Sequence, residues 1–323
     1  MKLTRREALT GGVAASALLG LGASPVLAQG AAAPAAVSPQ APGFYRYRIG
    51  AIEVTAINDG YAERGVEGYV KNAPMSEVEQ VMRQLRQPSG KVRVPYTSLV
   101  LRTGGKTVLI DAGNGDSGAA TTGTWMANFR AAGFDPATVD VVILSHFHGD
   151  HINGLRLKSG EWRFPRAEVK VPSAEWNFWM DDNRMAGVPE GARGAFQNVR
   201  RVFAPVAGAV VKFAADAEVV PGVTAVAAYG HTPGHTVFAI TSGSDKLMLM
   251  SDLTNHASVF LRNPDWHVLF DMNPEEAAKT RRRMADLAVG EGMQVAFYHA
   301  PFPATGYIER AGNGYRLEPV QWS

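Results

Sequence analysis

Cysteine is absent from this 323-residue chain, which excludes disulfides and thiolate metal ligands, so any bound metal must rest on nitrogen and oxygen. A large charge of either sign is also missing. The 32 basic and 30 acidic residues leave a formal charge of +2, and Lys2, Arg5 and Arg6 against Glu7 account for all of it. Once that segment is removed the chain is neutral, which argues against a nucleic-acid-binding surface. Long apolar runs are lacking too. The stretch from Gly11 to Ala23 is too short and too rich in glycine to span a bilayer comfortably.

The N-terminus instead has the layout of a twin-arginine export signal over residues 1–28. Thr4-Arg5-Arg6-Glu7-Ala8-Leu9 precedes the weakly apolar run, and Ser24-Pro25-Val26-Leu27-Ala28 supplies small residues for cleavage near Ala28. A periplasmic or secreted protein with no membrane span after cleavage is expected. Residues 29–42 are Ala/Pro-rich and uncharged, as a flexible linker would be. With 46% apolar residues, residues 43–323 can bury the core of one large catalytic domain.

Alternation from Tyr45 to Ile57 predicts strands, and Asn58-Asp59-Gly60 predicts a turn. Further strands are expected at Tyr96 to Leu101, Lys106 to Ile110, Val223 to Ala228, Val237 to Ile240, Leu247 to Met250 and Val295 to Tyr298. The continuous apolar run Val141-Val142-Ile143-Leu144 reads as a buried strand. Helical spacing marks Thr124 to Ala132, Ala174 to Met180 and Pro274 to Ala288, the last capped by Asn273.

Directly after the buried strand comes His146-Phe147-His148-Gly149-Asp150-His151. Residues two apart on extended chain share a face, so His146 and His148 can aim at one point. Gly149 permits a bend that redirects Asp150 and His151 to a neighbouring point. Four such side chains crowded at one strand end would repel or desolvate one another without a cation. More candidate ligands stand at other strand ends, in Gly230-His231-Thr232-Pro233-Gly234-His235, at Asp252 and at His299. Taken singly, each is more often a turn or cap residue than a ligand.

Together these motifs, in this order, resemble the metallo-β-lactamase superfamily. The resemblance implies an α+β fold, a four-layer αβ/βα sandwich, holding two divalent metal ions. It assigns His146, His148 and His235 to one ion, Asp150, His151 and His299 to the other, and Asp252 to both, leaving His231 to shape its loop. His256 and His267 match no motif and are expected to be structural. Zinc is the first choice for such nitrogen and oxygen ligation, with manganese, iron or cobalt admissible. Within the superfamily, Pro42-Gly43-Phe44-Tyr45, Ile57-Asn58-Asp59-Gly60, Thr305-Gly306-Tyr307-Ile308 and Gly314-Tyr315-Arg316 resemble the methyl parathion hydrolase subgroup, in which a homodimer is expected. Trp179 matches one pocket aromatic of that subgroup, and Phe302 is a second pocket candidate. The segment Gly113 to Thr124 is small and polar where another aromatic is expected.

The implied chemistry is hydrolysis of a small molecule by a bridging hydroxide, with Asp150 handing a proton to the leaving group. A lactone, an ester and a phosphotriester all suit such a site. The alternatives are an organophosphate hydrolase proper, a mononuclear iron oxygen-using enzyme and a non-catalytic metal-binding protein on the same fold.

Overall fold

A computed structural model describes residues 41–321, so the predicted export signal and most of the linker lie outside the described residues. Two seven-stranded sheets carry the fold. The first contains β1 (Phe44–Ile49), β2 (Ile52–Gly65), β3 (Lys91–Thr103), β4 (Lys106–Ile110), β5 (Val141–Ile143), β6 (Glu168–Pro172) and β7 (Val211–Phe213), in that spatial order. The second runs β14 (Gly314–Pro319), β13 (Thr305–Ala311), β12 (Gln294–Ala296), β11 (Asp245–Leu249), β10 (Thr236–Ser242), β9 (Val223–Ala227) and β8 (Glu218–Val220). The helices are α1 (Met75–Gln84), α2 (Trp125–Ala131), α3 (Gly149–Ile152), α4 (Ser173–Trp179), α5 (Asp182–Gly187), α6 (Glu190–Phe203), α7 (Ala257–Phe260) and α8 (Pro274–Gly290). None of the described helices is long and apolar enough to cross a membrane.

The period of two along each strand builds the layers. Val141 and Ile143 of β5 pack between the sheets with Val223, Phe238 and Leu249, whereas Val142 and Leu144 point outward against Phe129, Trp179 and Phe203 of α2, α4 and α6. On the far side, Val237, Met248 and Val295 meet Met284 and Ala288 of α8. Helices, sheet, sheet and helices thus form the four-layer αβ/βα sandwich that the family resemblance implies. Asn273 caps α8 by accepting from Glu276 N–H at 3.3 Å, and Pro274 sits in its first turn.

Two pairings decide where chemistry can collect. β4 runs parallel to β5, and β11 runs parallel to β12. The loops that leave their C-terminal ends therefore gather at one edge of the sandwich.

One expectation fails instructively. Asn58-Asp59-Gly60 does not end a strand; it lies inside β2, where the pairing to β3 steps by one residue between Asn58 and Tyr61. Such a bulge re-aims the strand without breaking the sheet. Gly60 has φ +86°, and a Cβ there would stand 2.1 Å from the Thr121 carbonyl oxygen, so glycine is required. The neighbouring Asp59 is fully buried and accepts four hydrogen bonds, from Asn114 N–H, Asn114 Nδ2, Gly123 N–H and Trp125 N–H.

Candidate metal centre

β5 delivers the His146 to His151 segment to the loop edge. Its redirection comes from a strand-to-helix change, since α3 starts at Gly149 with no left-handed backbone at that glycine. His146 Nε2 lies 3.1 Å from His148 Nδ1, and His148 Nδ1 lies 2.9 Å from His231 Nε2. Asp252 Oδ2 is 3.3 Å from that same His231 nitrogen. On the other side, His151 Nε2 sits 3.1 Å from Asp252 Oδ1 and 3.5 Å from Asp150 Oδ2. His299 Nε2 completes this group at 3.4 Å from Asp150 Oδ2 and 3.0 Å from Asp252 Oδ2. The two sets, His146/His148/His231/Asp252 and Asp150/His151/Asp252/His299, each converge within 4.8 Å and share Asp252.

The outer nitrogens are anchored. His146 Nδ1 meets Ser145 Oγ at 3.0 Å, His151 Nδ1 meets Asp111 at 2.9 Å, His231 Nδ1 meets Asp271 at 2.9 Å, and His299 Nδ1 meets the Pro95 carbonyl at 2.8 Å. Each anchor turns the opposite nitrogen inward, which is how proteins orient metal-binding imidazoles. Donor chemistry fits divalent cations: nitrogen lone pairs and carboxylate oxygens crowd two centres. The buried His151 Nε2 and Asp252 Oδ1 approach closely yet have no hydrogen-bond partner. Buried polar atoms left this way are costly unless a cation takes them.

Electrostatics carry the same message. Burial disfavours charge on His146 and His148, and neighbouring imidazoles push them further down, His148 to about 3. For His231 and His299 burial also opposes protonation, but Asp252 with Asp271 or Asp150 outweighs it and raises each to about 9. Burial resists ionisation of Asp150, and the adjoining His151 and His299 more than reverse that, holding its carboxyl below the usual range.

Of the two histidines in the Gly230 to His235 segment, it is His231 that the structure sets among the clustered side chains. His235 spends both nitrogens elsewhere: Nδ1 lies 2.8 Å from the Ala228 carbonyl, and Nε2 accepts from Asp252 N–H at 3.1 Å. His231 takes the place expected of His235. The other six expected residues, His146, His148, Asp150, His151, Asp252 and His299, all meet at the site. His256 is buried and belongs to neither set.

Three carboxylates that no local motif marks hold this arrangement. Asp111, at φ +61° just after β4, accepts from Ser145 N–H at 2.8 Å and from its hydroxyl, besides contacting His151. Asp271 orients His231. Glu175 of α4 is wholly buried and accepts from Phe147 N–H, Trp179 Nε1, Thr232 Oγ1 and Gly234 N–H at 2.7 to 3.0 Å. It therefore ties the His146/His148 loop to the His231 loop. A Cβ on Gly234 would lie 2.1 Å from the Glu175 nitrogen, so glycine lets the loop touch α4.

The centre forms the floor of a cavity of about 510 Å³ whose walls include Arg64, Val94, Tyr96, Asn114, Ser117, Ala119, Asn255 and Phe270. Neither aromatic candidate lines it. Trp179 is buried against Phe178 and Phe196 with its indole N–H on Glu175, and Phe302 is exposed outside the cavity. The Gly113 to Thr124 segment does reach the wall, through Asn114, Ser117, Gly118 and Ala119.

Comparison with known proteins gives the family and the fold. The family model described as the metallo-beta-lactamase superfamily matches residues 92–291. A crystal structure described as the hydrolase AbOPH in the beta lactamase superfamily is 25% identical, covers 88% of this chain and 100% of its own, and superposes with TM-score 0.83. AidC, described as a dizinc quorum-quenching lactonase, is 23% identical with TM-score 0.81 over 87% of this chain and 98% of its own. A probable metal-dependent hydrolase from Staphylococcus aureus is 20% identical with TM-score 0.69 over 85% and 100%. The latter two likenesses show the fold. No curated protein matches the chain.

Proposed function

From the premise that this chain belongs to the metallo-beta-lactamase superfamily and is a metal-dependent hydrolase, we propose that it binds two divalent cations and cleaves lactones or carboxylic esters. One observation carries this reading. Two four-residue sets sharing Asp252 meet beneath a single open cavity, whose floor takes His148, Asp150, His231, Asp252 and His299 from them.

His146, His148 and His231 would hold one cation, Asp150, His151 and His299 the other, and Asp252 both, with zinc preferred for these donors. Such a pair lowers the pKa of water towards neutrality and polarises a carbonyl oxygen. The chain's own residues supply the rest. Asp150 is half-buried and lines the cavity, so its carboxylate can take a proton and pass it to the departing alkoxide. Asp111, Asp271 and Glu175 keep the imidazoles aligned, which lowers the reorganisation needed during reaction.

Lactones and esters are preferred over aryl phosphotriesters because the Gly113 to Thr124 segment brings only small and polar residues to the wall and Trp179 does not reach it, leaving Tyr96 and Phe270 as its rings. That AidC, a protein of the same fold, is a quorum-quenching lactonase supports the choice. Export by the twin-arginine signal belongs to this reading and is tested by the N-terminal sequence of the protein recovered outside the cytoplasm. For activity, protein with quantified metal is assayed against lactones, aryl esters, phosphotriesters and β-lactams. Lactone or ester turnover at least equal to that of methyl parathion is expected; a phosphotriester cleaved far faster than every lactone and ester overturns the substrate assignment.

A further inference from the structure

The cavity has a cation of its own. Arg64 lies on β2 beyond the bulge, where Ala62 faces Val94 and Arg64 faces Val92 of β3. Because side chains alternate along a strand, the one-residue step at the bulge decides which face the second half of β2 presents. It brings Arg64 onto the same row as Ala62, beside Val94 and Tyr96, and so to the cavity wall. Glu63, on the other face, is taken by Lys91 and Arg93 at 2.7 and 3.0 Å.

Among the described residues no carboxylate forms an ion pair with Arg64. Its guanidinium lies over the Phe270 ring at 5.8 Å and shares the cavity wall with Tyr96. Both partners are themselves wall residues, so an exposed side chain is steered towards the cavity mouth. The cavity's two carboxylates, Asp150 and Asp252, are already surrounded by His151, His231 and His299. An arginine held this way presents a planar fork with free N–H groups, suited to an incoming anion.

We infer that Arg64 is a specificity residue for substrates carrying an anionic group, a carboxylate or its equivalent, on the part of the molecule remote from the scissile bond. This rests on the ester and lactone reading above and narrows it. Arg64 touches the substrate's charged end, while the reacting carbonyl sits over the metal centre. Asn114, Ser117 and Asn255 offer further polar contacts along the wall between them.

Two 4-nitrophenyl esters separate the possibilities: the hexanoate and the monoester of adipic acid, which share leaving group and chain length and differ in a terminal methyl or carboxylate. With metal content equal, kcat/KM is expected to favour the adipate ester roughly tenfold or more at low salt, the margin shrinking as salt screens the exposed guanidinium. Arg64→Gln should remove that margin by weakening the adipate ester alone, and Arg64→Lys should restore part of it. Binding of free adipate and hexanoate to the metal-loaded protein, measured by calorimetry, gives a second readout. There Arg64→Gln should weaken adipate only. Preference for the hexanoate ester, or equal losses on both esters and both acids, overturns the assignment. If neither ester is cleaved while adipate binds in an Arg64-dependent way, the hydrolytic substrate reading falls and the anion site stands.

Discussion

Asp271 holds His231 Nδ1 at 2.9 Å, and this contact leaves Nε2 as the nitrogen that faces Asp252. The buried Arg281 grips the other Asp271 oxygen at 3.3 Å and three backbone carbonyls, of Leu253, Pro264 and Trp266. A chain of contacts from α8 thus sets the direction of one imidazole. Orientation of this kind typically changes metal affinity by ten- to a hundredfold when removed.

His231→Ala should therefore lose about one metal per chain. His235→Ala should keep both ions and instead lose stability, since it strands the Asp252 N–H and the Ala228 carbonyl, at roughly 1–3 kcal/mol each. Metal analysis and thermal melts of the two variants check this pair; a His231→Ala protein with full metal would return His235 to the ligand set.

Asp252→Ala should lower occupancy of both ions together, because its two oxygens serve both sets. A variant that retains two metals per chain would show that Asp252 does not bridge.

Glu175→Ala leaves four buried donors without an acceptor, so a loss of at least about 3 kcal/mol is expected. Glu175→Gln keeps an acceptor oxygen and should recover part of it. Burial raises the Glu175 carboxyl above its ordinary 4.5, and its four hydrogen bonds only partly offset that. An acid raised in the fold contributes most below the unfolded value and loses that contribution as pH climbs towards the folded one. Wild type should therefore lose ground to Glu175→Gln as pH rises above 4.5. Denaturant melts across pH measure the difference, and a flat one would remove Glu175 from this role.

Asp59→Ala releases four hydrogen bonds that tie residues 114, 123 and 125 to the β2 bulge. Stability should fall by roughly 2–4 kcal/mol, and KM should rise more than kcat falls, because Asn114 and Ser117 line the cavity while the metal-facing residues are untouched. Unchanged KM in a folded variant would count against this loop as a substrate contact.

Removing the metals with a chelator should lower the melting temperature and abolish turnover, with both restored by added zinc. Whatever binds only the folded state stabilises it. A melting curve indifferent to chelator would contradict a loaded centre.

Much of the site was legible because its signal is local. His146 and His148 stand two apart after a buried strand, and strand geometry alone puts them on one face. Asn273 before Pro274 announces α8 through a cap that needs only three residues to complete. The apolar runs at β5, β11 and β12 showed where strands end, and side chains at such ends collect in any sandwich whose neighbouring strands run parallel.

Long-range contacts settled the rest. His231 and His235 sit four apart in one loop, and nothing within that loop says which presents a free nitrogen; Asp271, forty positions away, and Ala228 with Asp252 decide it. Asn58-Asp59-Gly60 has turn chemistry, yet pairing with β3 on one side and the 121–125 loop on the other makes it a bulge. Trp179 has a pocket residue's size, but Glu175 draws its N–H into the core. Arg64 reads as one more surface arginine until the bulge's register sets it beside Tyr96 and Phe270. Periodicity and turn composition act over a few residues and are written into the chain, whereas the direction of a side chain at a sheet edge depends on partners that only folding brings near.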